Sequence, residues 1–457
     1  MDVKQDVKSR ASRLNTLLAD YIPPRDTWNP ADEALYQPVD LYRVPLEEAQ
    51  NMQLKAIKFT FTHHYRNNDF YHRYCELRNV RPEDLKTIDD LDKIPLIPDV
   101  VFKQHPSGKD FAHWIVGIFT GDLPKIVVEG VNPTFDDVIN AFNAAGLVVT
   151  YSSGTSGRFT VIPRDKKTFL AAEYALAKSI TNMEYQWHED SHEYLLFPNP
   201  KKTNVFVGKV TTVNFDLVKD IQVAIDRELT AKLIQMAMSP KPGLKGMLTS
   251  YFQKGIEQKM IDQIISWLER FDRTNENIRL FGAPFLLYRI MEKLRKDGKS
   301  FDFGERGRVR TGGGWKIQEN VRIPHADFRK WIQDVLGIPE KHCLDCYGMV
   351  EGNGWIVQCP EGHYLHAPYT YYRPLVLDDN LVPAGYGEWG RFAFLDALAQ
   401  IYPGFIISGD RVRMLERCPV CDRPGPVLEP EIQRAKGEEV RGCAEELRSV
   451  LAEGLAR

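Results

Sequence analysis

The sequence lacks the features of membrane-spanning, exported and nucleic-acid-binding proteins. No apolar run approaches the roughly twenty residues that cross a bilayer, and the charged start, Met1 to Lys8, has no apolar signal-peptide core. The net charge is −3 over 457 residues, so no overall basic field attracts nucleic acid. The seven cysteines are an odd number, which favours reduced thiols or metal ligands over disulfides. We therefore expect a cytoplasmic protein with neither a nucleic-acid partner nor a membrane span.

What is present is a chain of ordinary globular composition, long enough for a large core. Short apolar runs alternate with helical patterns, which predicts an α/β layered fold with its binding site at strand ends. The predicted strands include Glu193–Phe197 and Ile278–Phe281, and the predicted helices include Leu46–Phe59, Lys254–Phe271, Phe285–Lys296 and one or two within Asp216–Met238. We expect three parts: a helical and extended part at 1–145, an α/β core at 146–400 and a small subdomain at 401–457.

A loop rich in serine, threonine and glycine occupies Tyr151 to Thr160, between two β-like apolar runs. Glycines and hydroxyls can bring backbone N–H groups and side-chain donors close to an oxyanion. The loop is not the P-loop of nucleotide hydrolases, because no Gly-Lys-Ser/Thr follows at the required spacing. From composition alone, a flexible surface hairpin is an equal alternative.

Three further motifs follow along the chain, and each has an ordinary structural alternative. Arg310-Thr-Gly-Gly-Gly-Trp-Lys316 allows a flat ligand to approach the backbone, or forms a tight turn. In Cys346-Tyr-Gly-Met-Val-Glu-Gly352, an extended backbone would direct Tyr347, Met349 and Glu351 to one side. Ile406-Ile-Ser-Gly-Asp410 predicts a strand ending in a carboxylate that can accept hydrogen bonds from ribose hydroxyls, or a Gly-Asp turn.

In this order and separation, the four motifs resemble the core motifs of the adenylate-forming acyl/aryl-CoA ligase superfamily, over roughly 145 to 435. The resemblance implies that the Ser/Thr/Gly loop binds the ATP phosphates, the glycine-rich strand and the tyrosine flank the adenine, the glutamate binds Mg²⁺ and the aspartate binds the ribose. It makes Glu351 a catalytic candidate. The implied nucleotide-binding residues are Ser152, Ser153, Gly154, Thr155, Ser156, Gly157, Gly312, Gly313, Gly314, Tyr347, Gly348, Met349, Asp410 and Arg434.

Within that superfamily the chain resembles the LuxE-type acyl-protein synthetases. The resemblance rests on Phe61–Tyr65, Ile94–Pro98 with Val101–Lys103, and Ile432–Cys443. It implies that a fatty acid is activated as its acyl-adenylate, accepted by the Cys443 thiol and passed to a partner such as a fatty-acid reductase or acyl carrier. A thiol at the start of a predicted final helix, Ala444–Ala456, should be more nucleophilic; the alternative is a small buried side chain.

One departure from the superfamily is expected at the C-terminus. Most members continue into a mobile lid domain that carries a catalytic lysine, whereas this sequence ends at 457, soon after Arg434. We therefore expect a truncated C-terminal segment in place of the full lid. Lys316 and nearby arginines, or a partner subunit, would then supply the positive charge.

Cys418-Pro-Val-Cys421 has the spacing of a zinc knuckle. Phenylacetate-CoA-ligase-like proteins have a similar arrangement, which implies Cys359, His366, Cys418 and Cys421 as ligands of a structural Zn²⁺, with His363 as the alternative histidine. Cys343-x-x-Cys346 is a rival pair, and free thiols are the alternative to a metal site.

The function expected from these resemblances is ATP-dependent activation of a carboxylic acid and transfer of its acyl group to a protein cysteine. Asn199–Val207 and Phe281–Leu287 are candidate walls of the acid pocket. Two alternatives stay open: an acyl- or aryl-CoA ligase that releases a CoA thioester, and a non-catalytic zinc-stabilised binding protein.

Overall fold

The structure is a computed structural model that describes residues 3–152, 158–238, 244–315 and 322–435. The helices are α1 (Val3–Leu17), α2 (Pro30–Tyr36), α3 (Leu46–Asn67), α4 (Asp69–Leu77), α5 (Lys109–Ile118), α6 (Phe135–Ala144), α7 (Lys166–Met183), α8 (Phe206–Lys209), α9 (Ala231–Met238), α10 (Leu244–Asp272), α11 (Pro284–Lys296) and α12 (His325–Leu336). The strands are β1 (Ile97–Pro98), β2 (Val148–Tyr151), β3 (Val161–Arg164), β4 (His192–Pro198), β5 (Asp220–Ile225), β6 (Ile278–Gly282), β7 (Gly307–Gly312), β8 (Cys343–Tyr347), β9 (Ile356–Gln358), β10 (Leu365–His366), β11 (Tyr372–Leu377), β12 (Trp389–Asp396), β13 (Phe405–Leu415), β14 (Val427–Leu428) and β15 (Gln433–Arg434).

Thirteen strands of the described chain form one mixed sheet. Its main path runs β11-β12-β13-β14-β10-β9-β8-β7-β6-β4-β5, and β1 and β15 also pair with β13. Pairing along this path is parallel among β5, β4, β6, β7 and β8. It is antiparallel from β8 onwards, through β9, β10, β14, β13 and β12 to β11. β2 and β3 form a separate antiparallel hairpin. The sheet thus joins a parallel half, which needs helical crossovers, to an antiparallel half made of hairpins.

Helices cover both faces of the parallel half. On one face, α10, α11 and α12 pack against alternate residues of β4, β6 and β7, such as Leu196, Leu280 and Val309. On the other face lies the larger core, which contains α7. Nearly every residue of α7 is buried, as expected of a helix enclosed between layers rather than lying on a surface. The predicted α/β layered fold is confirmed.

Most of the predicted elements are present, and one, the helical stretch Asp216–Met238, is wrong in its first half. α3, α10 and α11 contain the predicted helical segments, and β4 and β6 contain the predicted strands. Within 216–238, however, β5 occupies Asp220–Ile225 before α9 begins. Ile221, Val223 and Ile225 alternate with period two, which favours the strand; the neighbouring helical pattern hid this signal.

Two other expectations keep their status as predictions. The three-part division is not tested, although β1 pairs with β13 and so joins the N-terminal part to the last part of the chain. The truncated lid concerns 436–457, which lie outside the described residues. Among the described helices, none is long and apolar enough to cross a membrane.

Candidate active site

The base of the Ser/Thr/Gly loop is a closed hairpin. β2 and β3 pair from Val148↔Arg164 to Tyr151↔Val161. Beyond them the Ser152 N–H donates to the Thr160 carbonyl at 2.9 Å, and the Thr160 N–H donates to Ser152 Oγ at 3.0 Å. The predicted phosphate-binding residues 153–157 lie outside the described residues. The strand, loop and strand order predicted from the sequence is confirmed at its two flanks.

Arg164, the last residue of β3, connects this hairpin to the segment that carries Glu351. Its fully buried guanidinium donates to the carbonyls of Val350 at 2.6 Å and Gly352 at 3.1 Å. It also donates to the Asn353 side chain at 2.6 Å and to Thr150 at 2.8 Å. One cation therefore sets the position of Glu351 relative to the base of the loop.

Glu351 lies in a turn, not in the extended backbone that the sequence analysis assumed. β8 ends at Tyr347, and the Gly352 N–H then donates to the Met349 carbonyl at 3.1 Å. The expectation that Tyr347, Met349 and Glu351 share one side by strand alternation is therefore wrong. The turn needs Gly348, because a Cβ there would lie 2.6 Å from the Trp355 ring. The close packing of Trp355 thus explains why glycine occupies position 348, one of the predicted nucleotide-binding positions.

The ribose candidate Asp410 lies beside the adenine candidate Tyr347. The Tyr347 hydroxyl donates to Asp410 Oδ2 at 2.8 Å, and Arg434 Nη1 lies 2.8 Å from Asp410 Oδ1. Asp410 is inside β13, which continues to Leu415, so the expectation that the strand ends there is wrong. The strand continues because β15 pairs with Asp410 and Arg411, while β12 and β14 pair with the residues up to Leu415.

Besides Arg164, two residues of this site were not predicted as functional: Asp99 and Lys103. They follow β1, and the Lys103 ammonium forms an ion pair with Asp99. Burial raises the pKa of Glu351, and the charge of Lys103 opposes that rise. Burial alone lowers the pKa of Lys103, yet Asp99 and Glu351 bring it above its ordinary value. The sequence signal was Val101-Phe-Lys103, which supported the family resemblance but was given no role.

The glycine-rich segment continues β7 past its last paired residue. A Cβ on Gly312 would lie 3.1 Å from the Cys346 carbonyl, and Gly313 and Gly314 have φ values of 80° and 67°. These positions therefore favour glycine for backbone reasons. Trp315 is buried edge-to-face against Tyr288 and Phe328, so it packs into the core. Lys316 lies outside the described residues.

The predicted metal ligands come together on the antiparallel half of the sheet. The ligand atoms of Cys359, His366, Cys418 and Cys421 all lie within 4.8 Å of one another. Cys421 Sγ is 3.4 Å from His366 Nε2, and the Cys421 N–H points to Cys418 Sγ at 3.4 Å. Three thiols and one imidazole at these separations fit a tetrahedral zinc site.

The rival ligands do not join this cluster. His363 Nε2 is 3.0 Å from the Glu340 carbonyl. Cys343 packs with the helices on one face of the sheet, whereas Cys346 belongs to the core on the opposite face. Residues three apart in a strand point to opposite faces, so this pair cannot hold one ion.

The structure thus brings together two sets of predicted residues. The first set lies where several strands meet. It contains Ser152 directly after β2, Tyr347 at the end of β8, Glu351 in the turn that follows, Asp410 within β13 and Arg434 at the end of β15. The other contains the four candidate metal ligands. Cys443, the predicted acyl acceptor, lies outside the described residues.

Known proteins similar to this chain are ligases. A family model described as "Acyl-protein synthetase, LuxE" matches residues 247–452. The long-chain-fatty-acid–luciferin-component ligase of Aliivibrio fischeri is 24% identical over 413 residues, covering 90% of this chain and 91% of the relative. The ligase of the same name from Vibrio harveyi is 23% identical over 402 residues, covering 87% and 88%.

Similarity to solved structures concerns the fold. The crystal structure of 2-hydroxyisobutyryl-CoA ligase in an open conformation, with 2-HIB-AMP and CoA, aligns with a TM-score of 0.58 at 15% identity. The alignment covers 93% of this chain and 76% of that one. The same ligase in the thioesterification state has a TM-score of 0.58 at 16% identity, covering 91% and 73%.

Fold, site and relatives define the class: an ATP-dependent, AMP-forming acid ligase with an adenylate-forming fold. Within it, the predicted resemblance to the LuxE-type acyl-protein synthetases is confirmed.

We expect Arg164→Met to reduce both stability and activity. The substitution leaves the buried carbonyls of Val350 and Gly352 without their donor, which should lower the free energy of unfolding by about 3–5 kcal/mol. Release of the Glu351 turn should also reduce acid-dependent ATP–pyrophosphate exchange in the fraction that stays folded. Chemical denaturation and exchange assays measure the two effects.

The matched control is Arg295→Met, the same change at an exposed position of α11, which should alter neither quantity. Equal behaviour of the two variants would contradict the role assigned to Arg164.

Proposed function

We propose that this protein activates a fatty acid with ATP and transfers the acyl group to a protein cysteine, Cys443. One observation carries the first half. The base of the Ser/Thr/Gly hairpin, Glu351 and the Tyr347–Asp410–Arg434 group meet at one place, although Ser152 and Arg434 lie 282 positions apart along the chain. The names of the relatives, which include a long-chain fatty acid, support the substrate class.

In the proposed first step, an oxygen of the acid's carboxylate attacks the α-phosphorus of ATP and pyrophosphate leaves. Asp410 would bind the ribose hydroxyls, and Tyr347 would lie against the purine. A magnesium ion bound by Glu351 would neutralise charge on the phosphates. A carboxylate that is buried, and accepts a hydrogen bond from Thr160, suits that role once it is ionised.

We infer that Lys103 supplies positive charge in this step. Its ammonium forms an ion pair with Asp99, and the negative charges of Asp99 and Glu351 both raise its pKa. The cation favours the charged form of Glu351 and so opposes the rise that burial causes in the pKa of this acid. Lys103 therefore adds to, or replaces, the contribution expected of Lys316.

In the proposed second step, the Cys443 thiolate attacks the acyl carbon, the bond to the adenylate oxygen breaks and AMP leaves. The thioester would then pass to a partner such as a fatty-acid reductase. A CoA ligase remains the main alternative, because solved structures of the same fold include CoA complexes.

We further propose that Cys359, His366, Cys418 and Cys421 hold a structural Zn²⁺. Cys359 follows β9, His366 ends β10, and both cysteines of the knuckle lie between β13 and β14. Four protein ligands leave no open coordination position, which is typical of structural sites. The ion would link the hairpin of β9 and β10 to the hairpin of β13 and β14, and β13 carries Asp410.

The function is tested with two separate variants, Glu351→Gln and Cys443→Ala. We expect fatty-acid-dependent ATP–pyrophosphate exchange to fall about 100-fold or more in Glu351→Gln, since the phosphate charge loses its stabilisation. Cys443→Ala should keep exchange and lose acyl-protein, which mass spectrometry detects after incubation with ATP and a panel of acids.

Each alternative has its own result in that experiment. Acyl-protein that persists in Cys443→Ala would remove the second half of the proposal. CoA-dependent turnover without acyl-protein would favour the CoA ligase. The absence of exchange with every acid tested would favour the non-catalytic binding protein.

Lys103→Met should move the acid limb of the pH–rate profile for exchange to higher pH. Without the ammonium, the pKa of Glu351 rises further, so a higher pH is needed for the carboxylate form that binds the metal. At neutral pH we expect the rate to fall by about 100-fold. Lys103→Arg keeps the charge and should keep the acid limb near its original position; a limb unmoved in Lys103→Met would refute the assigned role.

Purified protein should contain about one zinc per chain, measured by inductively coupled plasma mass spectrometry. Cys421→Ser should lose the metal and melt at a lower temperature, because metal binding contributes to folding stability. Cys343→Ala, from the rival pair, should retain the zinc. Zinc retained in Cys421→Ser would contradict the ligand set.

A further inference from the structure

A second group of buried charges lies on the parallel half of the sheet, apart from the active site and the metal cluster. Strand register aligns Glu193 of β4 with Arg279 of β6, and Arg279 with Arg308 of β7. Arg310 lies two residues further along β7 and therefore faces the same side. Glu184, directly after α7, completes this group, which we call the arginine cluster. All five side chains are buried, with exposed fractions of 0–6%.

Two of the three guanidinium groups have partners. Arg310 donates from Nε and Nη2 to Glu184 Oε1, at 2.8 and 2.5 Å. Arg308 donates from Nη1 to the carbonyls of Glu305 and Gly307, at 2.7 and 2.8 Å. Glu193 accepts one hydrogen bond, from Asn214 at 2.8 Å.

Arg279 differs from both. It is 1% exposed, and its Nε, Nη1 and Nη2 atoms have no hydrogen-bond partner among the described residues. Arg308 Nη2 is also without a partner in the described chain. An unpaired polar group costs about 1–3 kcal/mol when buried, and a charged one more. Glu184 Oε2 and Glu193 Oε2 are buried without a partner among the described residues as well, so the balance of charge in the cluster decides whether a ligand is needed.

The charges of the cluster do not balance. Three buried guanidinium groups face two buried carboxylates, which leaves one positive charge. Burial lowers the pKa of His188, so that neighbour is neutral and adds no charge at pH 7. Arg10 reaches the Glu184 carbonyl from a partly exposed position.

Among the described residues, no other buried acid neutralises this charge. Among the charged groups that face the cluster, Asp190 is exposed and accepts a hydrogen bond from Asn277. Glu305 is 60% exposed and forms an ion pair with Lys341 at 2.8 Å. Water can satisfy hydrogen bonds, but it cannot neutralise a buried charge.

We propose that the arginine cluster binds a small monovalent inorganic anion, of the chloride class, against the guanidinium of Arg279. One such ion would accept the free N–H groups and bring the buried charge to zero. The arginine cluster lies near the N-terminal ends of β6 and β7. The glycine-rich segment proposed to bind the nucleotide, Gly312 to Gly314, lies at the C-terminal end of β7. Its expected contribution is therefore to stability and not to the chemical step.

The full-length protein is tested by thermal unfolding while sodium chloride replaces sodium gluconate at constant ionic strength. We expect a saturable rise in Tm of about 1 °C or more, since a ligand bound by the folded state alone stabilises it. Arg279→Met should abolish the rise, because two guanidinium groups then balance two carboxylates. Arg295→Met, the same change at an exposed position of α11, should keep it.

Crystals of the unaltered protein in sodium bromide give an independent test that does not require Arg279→Met to fold. We expect an anomalous peak in contact with the Arg279 guanidinium. The absence of this peak would overturn the proposal, as would equal chloride responses of the two variants. A peak without any chloride response of Tm would mean binding at crystal concentration only, and would overturn it too.

Discussion

The site depends first on the buried guanidinium of Arg164. It lies at the end of the hairpin that presents the Ser/Thr/Gly loop, and its hydrogen bonds reach the carbonyls on both sides of Glu351. The rings of Phe206 and Tyr402 flank it, at 4.5 and 5.4 Å from their centroids. A planar group with five N–H donors can join several carbonyls in one fixed arrangement, which a lysine cannot. The loop and the glutamate are therefore positioned by one residue that touches neither the proposed phosphates nor the proposed metal.

The second constraint is the change from parallel to antiparallel pairing after β8. Where β8 ends, the chain turns through Glu351 and returns as β9, so Tyr347 and Glu351 are placed at the boundary between the two halves. On the antiparallel side, β13 brings Asp410 to the same place through long-range pairing with β12 and β15. The candidate metal ligands lie on the neighbouring strands of that side. A zinc ion there would stabilise short strands such as β10 and β14, each of two residues, which pair too briefly to be stable alone.

The sequence predicted what is encoded locally. Gly313 and Gly314 were found because positive φ values select glycine. The four candidate metal ligands were found because the Cys418-x-x-Cys421 spacing and a family resemblance indicated them. Arg164 and Lys103 were missed as functional residues, since their partners lie 186 and 248 positions away along the chain. The continuation of β13 past Asp410 was missed for a similar reason, because pairing with distant strands decides it. The strand β5 has a local period-two pattern, but the helical pattern beside it hid that signal.

The charges of the active site and of the arginine cluster explain why they suit different ligands. In the candidate active site, four carboxylates face three cations among the described residues, an excess of one negative charge: Asp99, Glu351, Asp396 and Asp410 against Lys103, Arg164 and Arg434. Free ATP would be repelled there, whereas ATP with a divalent cation would not, because the metal neutralises both partners. The arginine cluster has the opposite excess and is closed to solvent, so it suits a small anion. The same sheet thus separates two ionic environments at opposite ends of β7.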